Sequence, residues 1–306
     1  MPRTALLHLA DHLSTVVVGA SEAGNLLITA MLAGGHALIE GPPGIGKTSL
    51  ARALADATGG AFRKVQFTPD LMPSDLLGYS LFHAASDRFE FHPGPVFCQV
   101  LLADEINRAS PRVQSALLEC MNDGVVTLDG VTRPLPEPFL VLATRNDSDA
   151  TGTFPLPEPQ LDRFLLSIEM GLPSPQEQVQ ILLDHADGHL AVMQTPPEAR
   201  LSPESILELR RQAATIPVSL ALAEYITALS SALRHQAGAN SSVSVRASLA
   251  LMRAARARAF LDAAPAVYPD HVREVLPAVM RHRIGADDAN TAHQWIQSAL
   301  KSTPAP

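Results

Sequence analysis

One octapeptide, Gly41-Pro42-Pro43-Gly44-Ile45-Gly46-Lys47-Thr48, constrains this chain more than any other stretch. It fits the pattern G-x-x-x-x-G-K-[ST] and stands between a short apolar run, 36–40, and a helical pattern over 48–57. Strand, glycine-rich turn and helix in that order form a cradle for phosphate. The glycines let the backbone wrap an anion with its N–H groups inward, and the helix N-terminus adds partial positive charge. Lys47 is expected to reach the β- and γ-phosphates of a nucleotide and the Thr48 hydroxyl to ligate Mg²⁺. Only two other lysines occur, Lys64 and Lys301, so Lys47 does not come from a lysine-rich background.

The surrounding sequence agrees with such a unit. Over roughly the first 170 residues, short apolar runs alternate with helical patterns, as in an α/β domain with a parallel sheet. Buried strands are expected at 36–40, 64–67, 100–104, 139–144 and 164–169. Their shortness and their Gly/Pro flanks favour strand over buried helix. Ser110, Pro111 and Gly124 punctuate one helix, as N-cap, first residue and C-terminal stop. VVTLDGVTRPL after it reads as a β-hairpin turning at Asp129-Gly130.

Between Gly171 and Pro203 the chain is rich in Pro, Gln and Glu, with one short helix over 176–185. Beyond Pro203, Ala, Leu and Arg recur at helical spacing. The expected division is therefore an α/β domain over 1–171, a linker over 172–202 and an all-helical domain over 203–306.

Composition excludes several classes. With 46% hydrophobic and 18% charged residues, the chain is not expected to be disordered. A formal charge of −8 argues against nonspecific nucleic-acid binding. The longest apolar stretch, Leu26 to Leu38, is broken by Gly34, Gly35 and His36 and is too short to span a bilayer. Asp11 interrupts any signal-peptide pattern, and two cysteines, Cys98 and Cys120, cannot make a disulfide framework. A cytoplasmic protein is expected.

A second acidic site lies downstream. Val100-Leu101-Leu102-Ala103 is an apolar strand ending in Asp104 and Glu105. Asp104 would hold Mg²⁺ through a water, and Glu105 would orient and polarise an attacking water. A lone aspartate would suit a GTPase or kinase, whereas the Asp-Glu pair suits an ATPase, and the guanine-reading N-K-x-D is missing. Hydrolysis of ATP is the expected reaction.

The longer blocks QFTPDLMPSDLLG (66–78), HPGPVF (92–97), LLADEINRASPRVQSALLECM (101–121) and PLPEPQLDRF (155–164) resemble the MoxR branch of the AAA+ ATPases. Residues 16–48 fit the same branch and SVRASLALMRAARA (244–257) its lid, so the resemblance covers nearly the whole chain. It implies a P-loop AAA+ αβα core with strand order 5-1-4-3-2, a helical lid, and a homo-oligomeric ring, usually a hexamer, with ATP between subunits.

By the same resemblance, Asn146 falls on the sensor-1 position, where its amide would place the attacking water. Arg163 falls on the arginine finger, reaching the γ-phosphate of the neighbouring subunit. Arg246 falls on sensor 2, reaching ATP from the lid of the same subunit. The nucleotide-contacting set is then Gly41 to Thr48 with Ser49, Asp104 and Arg246, with Thr48 and Asp104 at the metal. Val17 and Val18 would line the adenine. The segments 68–95 and 124–135 match two inserts that would face the ring pore or a client. A partner with a von Willebrand factor A domain is implied, and a chaperone role, either in remodelling or in metal or cofactor insertion. An assembly switch with incidental hydrolysis and a magnesium-chelatase-like motor are the other readings.

The sequence departs from the family in two places. Arg145 and Asp147 flank the sensor asparagine, bringing a positive charge near the nucleotide, and FLDAAPAVYPDHV (260–272) replaces the usual continuation of the lid. Among the remaining residues, the histidines show no H-E-x-x-H spacing, so no zinc site is expected. His83 and His92 are expected in solvent, and Phe82, Phe89, Phe91 and Phe97 in the core of the insert.

Overall fold

A computed structural model of the chain describes residues 2–85, 87–146, 152–186, 194–238, 242–286 and 288–306. Asp147, expected beside the sensor asparagine, lies outside the described residues.

The apolar runs form one parallel five-stranded sheet from β1 (Ala37–Glu40), β2 (Phe62–Gln66), β5 (Val100–Asp104), β8 (Leu140–Arg145) and β9 (Leu166–Glu169). The order across the sheet is β2-β5-β8-β1-β9. Counted along these five strands alone, that is 5-1-4-3-2, the arrangement expected of an AAA+ core. Two short antiparallel hairpins stand outside the sheet, β3 (Gly78–His83) with β4 (Arg88–Pro93), and β6 (Val125–Leu128) with β7 (Val131–Pro134).

Side chains of a strand alternate between faces, and here each face has its own core. Ala37, Ile39, Val100, Leu102, Leu140 and Leu142 join α1 (Pro2–Val16), α2 (Ser21–Leu32) and α3 (Lys47–Ala57). Leu38, Leu101, Ala103, Val141 and Ala143 pack on the other side with α5 (Pro111–Asp123). The central strands are buried on both faces, which is why they read as unbroken apolar runs.

The strand expected over 64–67 differs. It spans Phe62–Gln66, lies at the sheet edge, and buries only Val65 completely. Edge strands need no second apolar face, and this one leaves Arg63 and Lys64 exposed.

The punctuation of α5 is as expected in position. Ser110 and Gly124 flank it, and Gly124 is left-handed at φ 64°, but the Ser110 side chain makes no capping bond. In the β6–β7 turn both Asp129 (φ 53°) and Gly130 (φ 74°) are left-handed, the geometry of a type I′ hairpin.

The helix expected over 176–185 is α7 (Pro175–Ala186), and it buries none of its residues. The C-terminal part is helical: α8 (Pro203–Ala214), α9 (Leu220–Ala237), α10 (Val245–Leu261), α11 (Pro269–Met280) and α12 (Ala289–Ser302). Its apolar faces are continuous with the core around α1 and α2.

A buried cation anchors these helices to the sheet. Arg283, 1% exposed, pairs with Asp162 at 2.7 Å and donates to the Phe164 and Leu165 carbonyls at the entrance to β9. Its neighbour His282 bonds the Phe164 carbonyl through Nε2 at 3.0 Å. Both cysteines are buried, and burial raises each thiol to about 12, so neither is a thiolate at neutral pH.

In the β3–β4 insert, Phe91 and Phe97 pack edge to face at 5.5 Å. Phe82 and Phe89, expected in the insert core, are 47% and 74% exposed and touch chiefly each other. A two-stranded ribbon has only one face to cover, and Phe82 and Phe89 stand near its free tip. Ser80 donates to Asp129 at 2.7 Å and Arg133 lies 4.0 Å over the Phe91 ring, so the two hairpins support each other.

Candidate active site

The glycine-rich loop leaves the C-terminal end of β1 and enters α3, whose N-cap is the left-handed Gly46 (φ 94°). Gly41 has φ 145°, and a Cβ there would meet the Met170 carbonyl oxygen at 2.1 Å. Only glycine fits so close an approach in that backbone conformation. Lys47 is buried, and its Nζ donates to the Gly41 carbonyl, to the Pro42 carbonyl at 2.9 Å and to Asn146 Oδ1 at 2.7 Å. Pro43, Gly44 and Ser49 are exposed on the loop and first helical turn, and Ile45 is buried under it.

The acidic pair ends β5, an inner strand separated from β1 by β8, and Asp104 reaches the loop at Thr48. The Thr48 hydroxyl lies 3.4 Å from Asp104 Oδ2, so hydroxyl and carboxylate form an oxygen donor set suited to a small hard cation. Burial by itself would raise the Asp104 carboxyl. Hydrogen bonds from Lys64 and Thr144, the Lys64 charge and the Thr48 hydroxyl outweigh it and hold the group below the ordinary carboxylate range. Lys64 Nζ sits 2.7 Å from Asp104 Oδ2, and Thr144 Oγ1 donates to Oδ1 at 2.6 Å.

Glu105 adopts the left-handed region, φ 57° and ψ 51°, uncommon for a residue with a Cβ. Its backbone N–H donates to Thr144 Oγ1 at 2.9 Å. The carboxylate accepts from Gln66 Nε2 at 2.9 Å, Arg108 at 3.1 Å and Asn146 Nδ2 at 3.1 Å. Asn146 thus joins the phosphate-loop lysine to the acidic pair.

Arg145, expected to bring charge near the nucleotide, instead pairs with Glu40, its register partner on β1. Glu40 is 3% exposed and also accepts from the Ser167 hydroxyl. The charge of Arg145 is spent within the sheet. A cavity of about 200 Å³ beside the loop is lined by Val17, Val18, Ile45, Met170 and Gly171.

Arg163 and Arg246 lie elsewhere. Both border a cavity of about 250 Å³ with Gly35 and His36, which precede β1, whereas the phosphate loop follows it. The two arginines therefore lie at the opposite end of the strands from their own chain's loop. Arg163 donates to Asn122 Oδ1 at 2.6 Å, and Arg246 lies 3.7 Å from Asp162. The expectation that Arg246 reaches ATP from the lid of its own subunit does not follow from this placement. The cause is the packing of α10 against α2, α8 and α11, which brings its first turn beside Asp162. Arg253 and Arg283 line the same cavity. Arg253 is held below its ordinary value by burial, with the Arg246 charge adding to it.

Sequence reasoning did not single out Gln66, Lys64, Thr144, Arg108 or Arg283. Gln66 and Arg108 lay within the blocks that carried the family resemblance, so a signal was present without a role attached to it.

A glycine-rich loop on the first strand, an acidic pair two strands away and a polar bridge from the strand between them define a P-loop ATPase of the AAA+ class. Residues 36–166 match the family described as ATPase family associated with various cellular activities (AAA), and residues 231–299 match the AAA lid domain. Over 88% of this chain and 72% of the relative, it is 41% identical to the chaperone MoxR1 of Mycobacterium tuberculosis. Protein YeaC of Bacillus subtilis is 42% identical over 90% of this chain and 85% of its own. A solved structure from Cytophaga hutchinsonii superposes with a TM-score of 0.84 at 34% identity, covering 100% of this chain and 96% of that one. The chain belongs to the MoxR family of AAA+ ATPases.

Proposed function

We propose that the chain hydrolyses ATP at a site built from residues of two neighbouring copies in a ring, and couples the cycle to remodelling of a client protein. The observation that carries this reading is the division of the machinery between the two ends of the strands. Lys47, Thr48, Asp104, Glu105 and Asn146 gather at the C-terminal end. Arg163 and Arg246 gather at the other, in a cavity where four arginines face the single carboxylate of Asp162. Such an excess of positive charge suits the phosphates of a nucleotide held by the next subunit.

Within one subunit, Lys47 and the loop N–H groups would hold the β- and γ-phosphates. Thr48 and Asp104 would hold Mg²⁺, which would supply positive charge to offset that of the phosphates. Glu105 would accept a proton from the attacking water as Asn146 orients it, and Val17 and Val18 would border the base. Arg163 and Arg246 of the neighbouring copy would complete the charge balance at the γ-phosphate.

Exposed apolar residues on and before α7, namely Leu172, Val179, Leu182 and Leu183, support assembly, since a monomer rarely leaves such a stripe uncovered. No described helix is long and apolar enough to cross a membrane. The two buried free thiols support a reducing compartment, the cytoplasm. A von Willebrand factor A domain partner and a client that receives a metal or cofactor belong to the same reading, which the two protruding hairpins and the relative named a chaperone support. An assembly switch would rest on Arg145 beside the sensor and on the altered lid, and of these Arg145 is engaged by Glu40.

The test is subunit mixing. Glu105→Gln and Arg163→Ala should each be inactive alone, while their mixture regains turnover wherever an intact site meets an intact finger. No recovery in rings that contain both variants would overturn the shared site.

A further inference from the structure

The β3–β4 hairpin carries a side-chain cluster that no sequence spacing announces. In its ladder His83 stands opposite Arg88, Leu81 opposite Glu90 and Tyr79 opposite His92. Alternation places His83, Glu90 and His92 on one face of the ribbon. The two histidines are separated by four ladder positions, yet their ring centroids are 6.3 Å apart, with Glu90 between them. His83 Nε2 lies 3.1 Å from Glu90 Oε2, and one ligand atom from each of the three residues lies within 4.8 Å of the others. His92 is fixed by stacking on Tyr79 at 5.4 Å. Its Nε2 is sealed from solvent and has no hydrogen-bond partner among the described residues.

We propose that His83, Glu90 and His92 form a binding site for a divalent transition-metal ion of the zinc class. Two imidazole nitrogens and one carboxylate oxygen are the donors such an ion takes, with a fourth position left for water or an incoming ligand. A tetrahedral ion with ligands at about 2.0–2.1 Å holds them about 3.3 Å apart, so the His83–Glu90 separation already fits. The remaining closure needs only torsional adjustment of side chains at the surface. Mg²⁺ prefers oxygen ligands and keeps its waters, so the imidazole pair separates this site chemically from the one at Thr48 and Asp104. The site stands on the insert and does not depend on the reading of the nucleotide chemistry.

The full-length protein, stripped with a chelator and desalted, would be titrated with Zn²⁺ by calorimetry and with Co²⁺ by visible absorption. One equivalent per chain is expected, with the intense Co²⁺ bands of a four- or five-coordinate ion. His83→Ala, His92→Ala and Glu90→Gln should each weaken binding at least about tenfold, the loss that even outer partners of metal ligands produce. His235→Ala, on an exposed turn of α9, should leave it unchanged. Glu90→Gln preserves side-chain shape and guards against a folding artefact, as do unchanged melting and Mg²⁺-ATP turnover. Absence of uptake by the wild type, or an equivalent retained within twofold in the two histidine variants, would overturn the proposal.

Discussion

Asn146 donates its Nδ2 to Glu105 Oε1 at 3.1 Å while its Oδ1 accepts from Lys47 Nζ at 2.7 Å. One amide therefore senses both the phosphate-binding lysine and the carboxylate assigned to water activation. Removing that carboxylate's basicity while keeping its shape isolates its role. Glu105→Gln is expected to bind ATP as wild type does and to lose about 10²–10⁴-fold in turnover, the range of general-base catalysis. Nucleotide calorimetry beside phosphate release measures both, and turnover within a few-fold of wild type would remove Glu105 from the mechanism.

Gln66 and Arg108 occupy Glu105 Oε2. A carboxylate engaged by these donors is less available to a water. Gln66→Ala should raise basal turnover about fivefold, the rate equivalent of one hydrogen bond of about 1 kcal/mol, with ATP affinity unchanged. A fall in turnover would show that Gln66 positions Glu105 for reaction instead of restraining it.

Lys64 competes with any cation for Asp104. Its ammonium, 2.7 Å from Oδ2, supplies the charge that holds the carboxyl low. In Lys64→Met the Mg²⁺ concentration for half-maximal activity is expected to fall. A rise would mean that Lys64 shapes the metal site rather than opposing it.

Acid stability follows from His36. Burial lowers this imidazole from 6.5 to about 4, and the neutral ring accepts from the Val141 N–H through Nδ1 and bonds the Met121 carbonyl through Nε2. The unfolded chain takes up a proton near pH 6.5 that the folded chain refuses until about pH 4. Stability is therefore complete above about pH 6.5 and declines as pH falls through that window, by about 3 kcal/mol in all. His282, lowered by burial and then by the Arg283 charge, adds to the same trend. Denaturant melts of His36→Gln between neutral pH and pH 5 should show a shallower decline than wild type, and an equal slope would place the acid sensitivity elsewhere.

Arg283→Met should destabilise by about 3–5 kcal/mol, because it strips Asp162 of its buried partner and frees the carbonyls at β9. Thermal melts read this directly. A change under about 1 kcal/mol would show that the helical layer is held by apolar contact alone.

While the order of the strands was implied only by the family resemblance, the sequence by itself determined most of the buried strands, the phosphate loop and the acidic pair. These depend on local chemistry: a loop that must wrap an anion needs its glycines in sequence, and a strand buried on both faces must be apolar throughout. It also contained the residues of the two inserts, but not which aromatic side chains they cover. Phe82 and Phe89 look like core in composition and are exposed because a lone ribbon has too little surface to bury them. Only the tertiary structure decided where charges meet. It paired Arg145 with Glu40 across β1 and β8, placed Arg246 with Arg163 at the far end of the strands, and gathered His83, Glu90 and His92 on one ribbon face. Such juxtapositions are set by strand register and helix packing between distant segments, and linear spacing carries no record of either.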